Sequence, residues 1–234
     1  HAGSMATVNM TCKMKHLSQA VVSSALIFVS LVCSDRLKSE EQQATTSVPP
    51  IAEGFVPIFN GKNLNGWTGH TDGYHVEDGI LVCKAGGLLL FTETQYTDFV
   101  LRFDFQLTPG ANSGIGIRYA PPFQPLQDIE IQILDNSAKE YKDLDGKHRH
   151  GAIYSVAAAK PGHLRRVGQW NSQTIAVQGS RITVTLNGEV ILDKRLDEFN
   201  LHPDMQRPRG HIAILGHGTP MKFRKIGVKE LTAE

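Results

Sequence analysis

The chain has 234 residues, with 24 Lys and Arg against 23 Asp and Glu, a formal net charge of +1, and 41% hydrophobic residues. The basic residues are spread along the chain, so it lacks the positive stripe of a nucleic-acid binder. Its three cysteines, Cys12, Cys33 and Cys83, form no CxxC pair, which argues against a structural zinc site; Cys83 reads as a small apolar core residue.

His1-Ala2-Gly3-Ser4 ahead of Met5 reads as a cloning scar. Lys13, Lys15 and His16 then precede an apolar run from Ala20 to Val32, the pattern of a signal-peptide core too short for a confident membrane span. The run ends at Cys33, placed as in a bacterial lipoprotein leader, although Val32 stands where Gly or Ala is usual. Residues 1–33 are thus expected to be scar and leader, with Cys33 a candidate lipid anchor. Residues 34–53, rich in Glu, Gln, Thr and Pro, read as a flexible tether. The expected location is the periplasm, or the outer membrane through the anchor.

Residues 54–234 form the globular part, long enough for one core. From Phe99 to Leu107 apolar and polar residues alternate, as in a half-buried strand. Strands also follow at Ile115–Tyr119 and around Ile129, Ile131 and Ile133. Arg181–Leu186 meets the favoured hairpin dipeptide Asn187-Gly188 and returns through Val190–Leu192. His211–Leu215 and Phe223–Val228 close the chain with two more. No long helical period competes, so the pattern predicts an all-β fold, a two-sheet antiparallel jelly-roll sandwich.

On the Ile129 strand the isoleucines take the core, so Asp128, Glu130 and Gln132 face the other way. By the same alternation Arg118 is expected on that polar face, with Gly114 and Gly116 leaving room above it. Such a floor suits a saccharide cleft; it equally suits a solvated sheet face with cross-strand Arg–Glu pairing.

The order of motifs resembles a known family. Gly54-Phe55, Ile58-Phe59-Asn60-Gly61-Lys62, Leu64 and Gly66-Trp67 look like its opening. Asp78-Gly79, Tyr96-x-Asp98-Phe99, Asn112-Ser113-Gly114-Ile115, Glu130-x-Gln132-x-x-Asp135, Gly151-Ala152-Ile153-Tyr154, Trp170-Asn171, His217-Gly218 and Phe223-Arg224-Lys225-Ile226 follow in order. This is similar to the 3-keto-disaccharide hydrolase domain family over residues 54–232, which implies a concanavalin A-like sandwich. Three positions depart from the usual pattern: Leu215 where Gln is frequent, His75 near a frequent Trp, and Lys225 where Asn is frequent. The first touches the expected groove; the other two are expected to concern packing.

The resemblance implies substrates with a ketone at C3 of the glycosyl unit, which acidifies the hydrogen on C2. Removing that proton, expelling the C1 substituent and adding water needs a base, a donor at the C3 oxygen, and a proton for the leaving oxygen. Glu130, His217 and Arg118 supply those types, with either of the first two as base. Asn112, Asp128, Gln132, Tyr154 and Asn171 are the candidate substrate-binding residues. An ordinary glycosidase would need two carboxyl groups, and Gln132 stands where the second would be. A divalent cation held by Glu130 and His217 could replace Arg118 at the C3 oxygen. The alternative function is a non-catalytic, lectin-like carbohydrate-binding module in which Trp67 or Tyr154 stacks on sugar rings.

Overall fold

The computed structural model describes residues 54–122 and 127–232. The leader, the tether and Cys33 lie outside the described residues. Thirteen strands appear in chain order: β1 (Val56–Pro57), β2 (Trp67–Gly69), β3 (Tyr74–Glu77), β4 (Ile80–Cys83), β5 (Leu89–Tyr96), β6 (Phe99–Leu107), β7 (Asn112–Tyr119), β8 (Ile129–Leu134), β9 (Trp170–Gln178), β10 (Arg181–Leu186), β11 (Glu189–Arg195), β12 (Gly210–Gly216) and β13 (Met221–Glu230). Helix among the described residues is confined to short 3-10 segments.

The strands form two antiparallel sheets. One runs β11-β10-β9-β6-β13-β4-β3, with β1 also on β13; the other runs β2-β5-β12-β7-β8. Alternation builds the core between them. Phe99, Leu101, Phe103, Phe105 and Leu107 from β6 meet Ile115 and Ile117 from β7, Ile129, Ile131 and Ile133 from β8, and Ile212 and Ile214 from β12. Asn187 and Gly188 both have positive φ, as do Asp78 and Gly79. Each pair closes a two-residue hairpin of the kind whose twist matches its strands. The expected all-β sandwich is what the chain forms.

The last two strands are central, one to each sheet. β12 inserts between β5 and β7, and β13 lies between β6 and β4. Trp67 is part of the core, its indole N–H donating to the Ile58 carbonyl at 2.6 Å, so it is not a sugar-stacking residue.

Candidate active site

All six residues of β8 are buried, so its polar face is a recess and not an open solvated surface. Register places Glu130 opposite Gly116, and Gln132 opposite Gly114, on β7. β12 follows, with Ala213 beside Gly116 and Leu215 beside Gly114; β5 then brings Phe91 beside Ala213 and Leu89 beside Leu215. Each row across the sheet therefore falls to a glycine next to the polar residue of β8. A side chain at Gly114 would overlap the Glu130 carboxylate, which leans across that gap.

His217 completes the centre. Its Nε2 lies 3.1 Å from Glu130 Oε1, with the imidazole about one-third exposed (36%) and the carboxylate side chain nearly covered (9%). The imidazole is held by its loop. Gly218 N–H donates to the Gly87 carbonyl and Gly86 N–H to the Gly218 carbonyl, both at 3.0 Å. Gly216 lies so close to this segment that a Cβ there would sit 2.6 Å from the Gly87 and Leu88 carbonyl oxygens. Thr219 Oγ1 accepts from Asn112 N–H (2.8 Å) and donates to the Asn112 carbonyl (2.7 Å).

Two candidate binding residues join the pair. Gln132 Nε2 donates to Asn112 Oδ1 at 2.9 Å, and Gln132 Oε1 is buried with no hydrogen-bond partner among the described residues. Tyr154 N–H donates to the Glu130 carbonyl at 2.9 Å, which puts the tyrosine in the segment that covers the outer edge of β8. Its ring meets His148 edge-on at 4.9 Å. His148 Nε2 is 3.1 Å from Ser155 Oγ, and its Nδ1 is 3.4 Å from Asp145 Oδ1. This small polar group on the rim escaped the sequence reading; Asp145-Gly146 ahead of His148 was its only local sign.

Arg118 is a correction. β7 carries an extra residue against β12 between Gly116 and Tyr119, and Arg118 has φ of 49°. The bulge turns the guanidinium out of the row. It donates from Nε to the Thr97 carbonyl (2.8 Å), from Nη1 to the Gly179 carbonyl (2.9 Å) and from Nη2 to Asp98 Oδ1 (2.7 Å). Burial holds this guanidinium below its ordinary pKa, opposed by the charge of Asp98. Arg118 thus ties two turns together, and Tyr119 takes the place in the row.

Asn171 is a second correction. It is buried at one end of the larger sheet, where Oδ1 accepts from Arg165 N–H and from Asn187 Nδ2, both at 2.9 Å. It shapes the Asn187-Gly188 hairpin and lies away from Glu130's sheet. Asp128 is buried at the start of β8 and paired with Arg207. No third His, Cys, Asp or Glu joins Glu130 and His217 as a metal-ligand group among the described residues.

The chain is an antiparallel two-sheet sandwich of the concanavalin A-like class, with a carboxylate–imidazole pair on one sheet. Residues 54–229 match the 3-keto-alpha-glucoside-1,2-lyase-like domain. The chain belongs to that family and is a glycoside-cleaving enzyme. It is 25% identical to the 3-keto-disaccharide hydrolase of Bacteroides thetaiotaomicron, over 87% of each chain. A crystal structure from Parabacteroides distasonis, provisionally named a glycosyl hydrolase, superposes with a TM-score of 0.68 at 23% identity, covering 77% of this chain and 95% of that one. A Bacillus subtilis protein with a galectin-like fold gives a TM-score of 0.53 at 12% identity, covering 79% and 98%.

Proposed function

We propose that the enzyme cleaves 3-keto-glycosides by removing the C2 proton, eliminating the C1 substituent and adding water to the product. The observation that carries this is the Glu130–His217 pair at 3.1 Å, with no second unengaged carboxylate beside it among the described residues. Gln132 stands at the next position on the face, and Asp128 is committed to Arg207. Double displacement at a plain sugar needs two working carboxyl groups, whereas an acidified C2–H needs one base and one acid.

In the first half, the C2 proton passes to one member of the pair, written here as Glu130, and the electrons form an enolate across C2 and C3. The enolate then collapses, restores the C3 carbonyl, forms a C1–C2 double bond and breaks the C1–O bond. The departing oxygen takes a proton from His217. In the second half, water adds at C1, its proton returns to His217, and Glu130 gives its proton back to C2. The sum is one water consumed and one glycosidic bond hydrolysed. A 1,2-lyase, named for the family, and a hydrolase, named for the Bacteroides relative, differ in this scheme only by the second half. With Arg118 elsewhere, the Gln132–Asn112 amides and Tyr154 are the polar groups available to the C3 oxygen and the hydroxyls.

The test compares 3-keto-trehalose with trehalose, and the 3-keto substrate carrying deuterium or hydrogen at C2. Cleavage confined to the keto form and slowed by C2 deuterium is expected. Equal turnover of both sugars overturns the reading. The leader extends the proposal to export, with attachment through Cys33; Cys33→Ser should move the protein out of the membrane fraction of its host.

A further inference from the structure

The outer face of the five-stranded sheet changes character across its width. On β8 it is polar, with Glu130, Gln132 and the neighbouring Asn112 and Tyr154. At the end of β7 and on β12 and β5 it is apolar: Tyr119, Ala213 and Leu215 form a buried hydrophobic cluster separate from the core, with the partly exposed Leu89 and Phe91 packed over it. Phe91 packs on Tyr119 with ring centroids 5.4 Å apart and on His211 at 5.3 Å. The His211 nitrogens are already engaged, Nδ1 with the Thr92 carbonyl (2.6 Å) and Nε2 with Gln95 (3.1 Å). Leu88, next to Leu89 in the chain, is 53% exposed, and its carbonyl oxygen lies against Gly216, the residue before His217.

The patch and the reactive pair lie on one face of the sheet. Phe91, Ala213, Gly116 and Glu130 follow one another in register, and neither small position adds a side chain beyond Cβ to the row. Three strand spacings separate the ends, roughly 14 Å, which is room for a sugar ring and one further ring side by side. We infer that this apolar half of the cleft receives the leaving group, and that the enzyme favours glycosides whose aglycone is apolar or aromatic. The inference rests on the proposed reaction for the position of the scissile bond. A second hexose over Leu88, Leu89 and Phe91 would give up water from its hydroxyls without finding partners, which is costly. An apolar ring there loses nothing of that kind and gains burial.

The test separates binding from chemistry. The protein is titrated with phenyl glucoside and methyl glucoside of the same anomer, as wild type, Leu88→Ser and Phe91→Ala, with melting temperatures alongside. The phenyl ligand is expected to bind about tenfold more tightly, and either substitution to bring the ratio towards one. Leu88 is exposed, so its replacement leaves the fold intact even if Phe91→Ala loosens it. An equal affinity for the two ligands in the wild type, no binding of the phenyl glucoside, or a preference unchanged in Leu88→Ser and Phe91→Ala overturns the inference. Turnover of the 3-keto forms is measured separately. A phenyl preference without cleavage of 3-keto phenyl glucoside refutes the proposed reaction and leaves the apolar subsite standing.

Discussion

The carboxylate of Glu130 occupies the space that any side chain at Gly114 would need. The backbone of Gly114 is not left-handed, so the glycine is there for room and not for its torsion. The atoms in the way belong to the movable end of a side chain.

Gly114→Ala should therefore displace the carboxylate while leaving the sheet intact. Turnover is expected to fall about 10²-fold, the typical effect of moving a reactive group by about 1 Å. The melting temperature should fall by only a few degrees, the effect of about 1 kcal/mol of overpacking. A variant as active as the wild type would show that Glu130 does not act from its observed position.

Glu130→Gln keeps the shape of the recess and removes the base, and His217→Ala removes its partner. Each is expected to lower kcat by about 10²–10⁴-fold. The double variant should be little worse than the worse single one, because the two act as a unit. Steady-state kinetics on a 3-keto-glycoside, with circular dichroism as the folding control, checks both. Multiplicative losses would mean the residues act independently.

Arg118→Ala should be a stability variant. The side chain is 5% exposed, and its removal takes from Asp98 its charge partner and from the carbonyls of Thr97 and Gly179 a donor. A loss of about 3 kcal/mol is expected, read as a lower urea midpoint with unchanged slope. The kcat of the folded fraction should hold. A large loss of kcat without loss of stability would return Arg118 to the reaction.

His150 sets an acid limit. It is buried against Phe105, ring centroids 5.3 Å apart, and burial pushes its pKa down to about 4 from 6.5. Unfolding lets it protonate near its ordinary value, so between pH 6.5 and 4 the unfolded chain holds the extra proton. Stability from this residue is complete above pH 6.5 and is lost as pH falls towards 4, by about 3 kcal/mol in all. Urea titrations at pH 7.5, 5.5 and 4.5 should show the decline, and His150→Gln should flatten it. A wild-type profile flat across this range contradicts the assignment.

β6 and β10 were legible because burial follows simple alternation, and β8 because its isoleucines alternate with polar residues, although all six of its residues are buried. The Glu130–His217 pair emerged from motif order, since residues 87 apart carry no mutual spacing signal. Arg118 was misplaced because alternation counts one residue per step. The extra residue of β7 is defined by its partner strand, and nothing within Ile-Gly-Ile-Arg-Tyr marks it. Asn171 was misplaced for another reason: it lies on the core-facing row of β9 with Gln173, Ile175 and Val177, but at the sheet's end, where backbone groups need side-chain partners. The apolar patch escaped notice because Phe91, Ala213 and Leu215 look like any core strand. Lys225, where the family frequently has Asn, has φ of 53°, a torsion Asn adopts with less strain. That departure concerns the backbone bulge of β13 as well as packing.

The position of the last two strands also dictates when the enzyme can exist. During synthesis, every strand up to β11 leaves the ribosome before the pieces that separate β5 from β7 and β6 from β4. A nascent chain ending before Gly210 has the borders of both sheets and the middle of neither, and it lacks His217. Completion thus waits for β12 and β13, which fill the centre of the two sheets, and for the loop between them, which brings the imidazole to Glu130. Deletion of β12 and β13 would remove the keystone of both sheets, where deletion of β11 would trim only a margin.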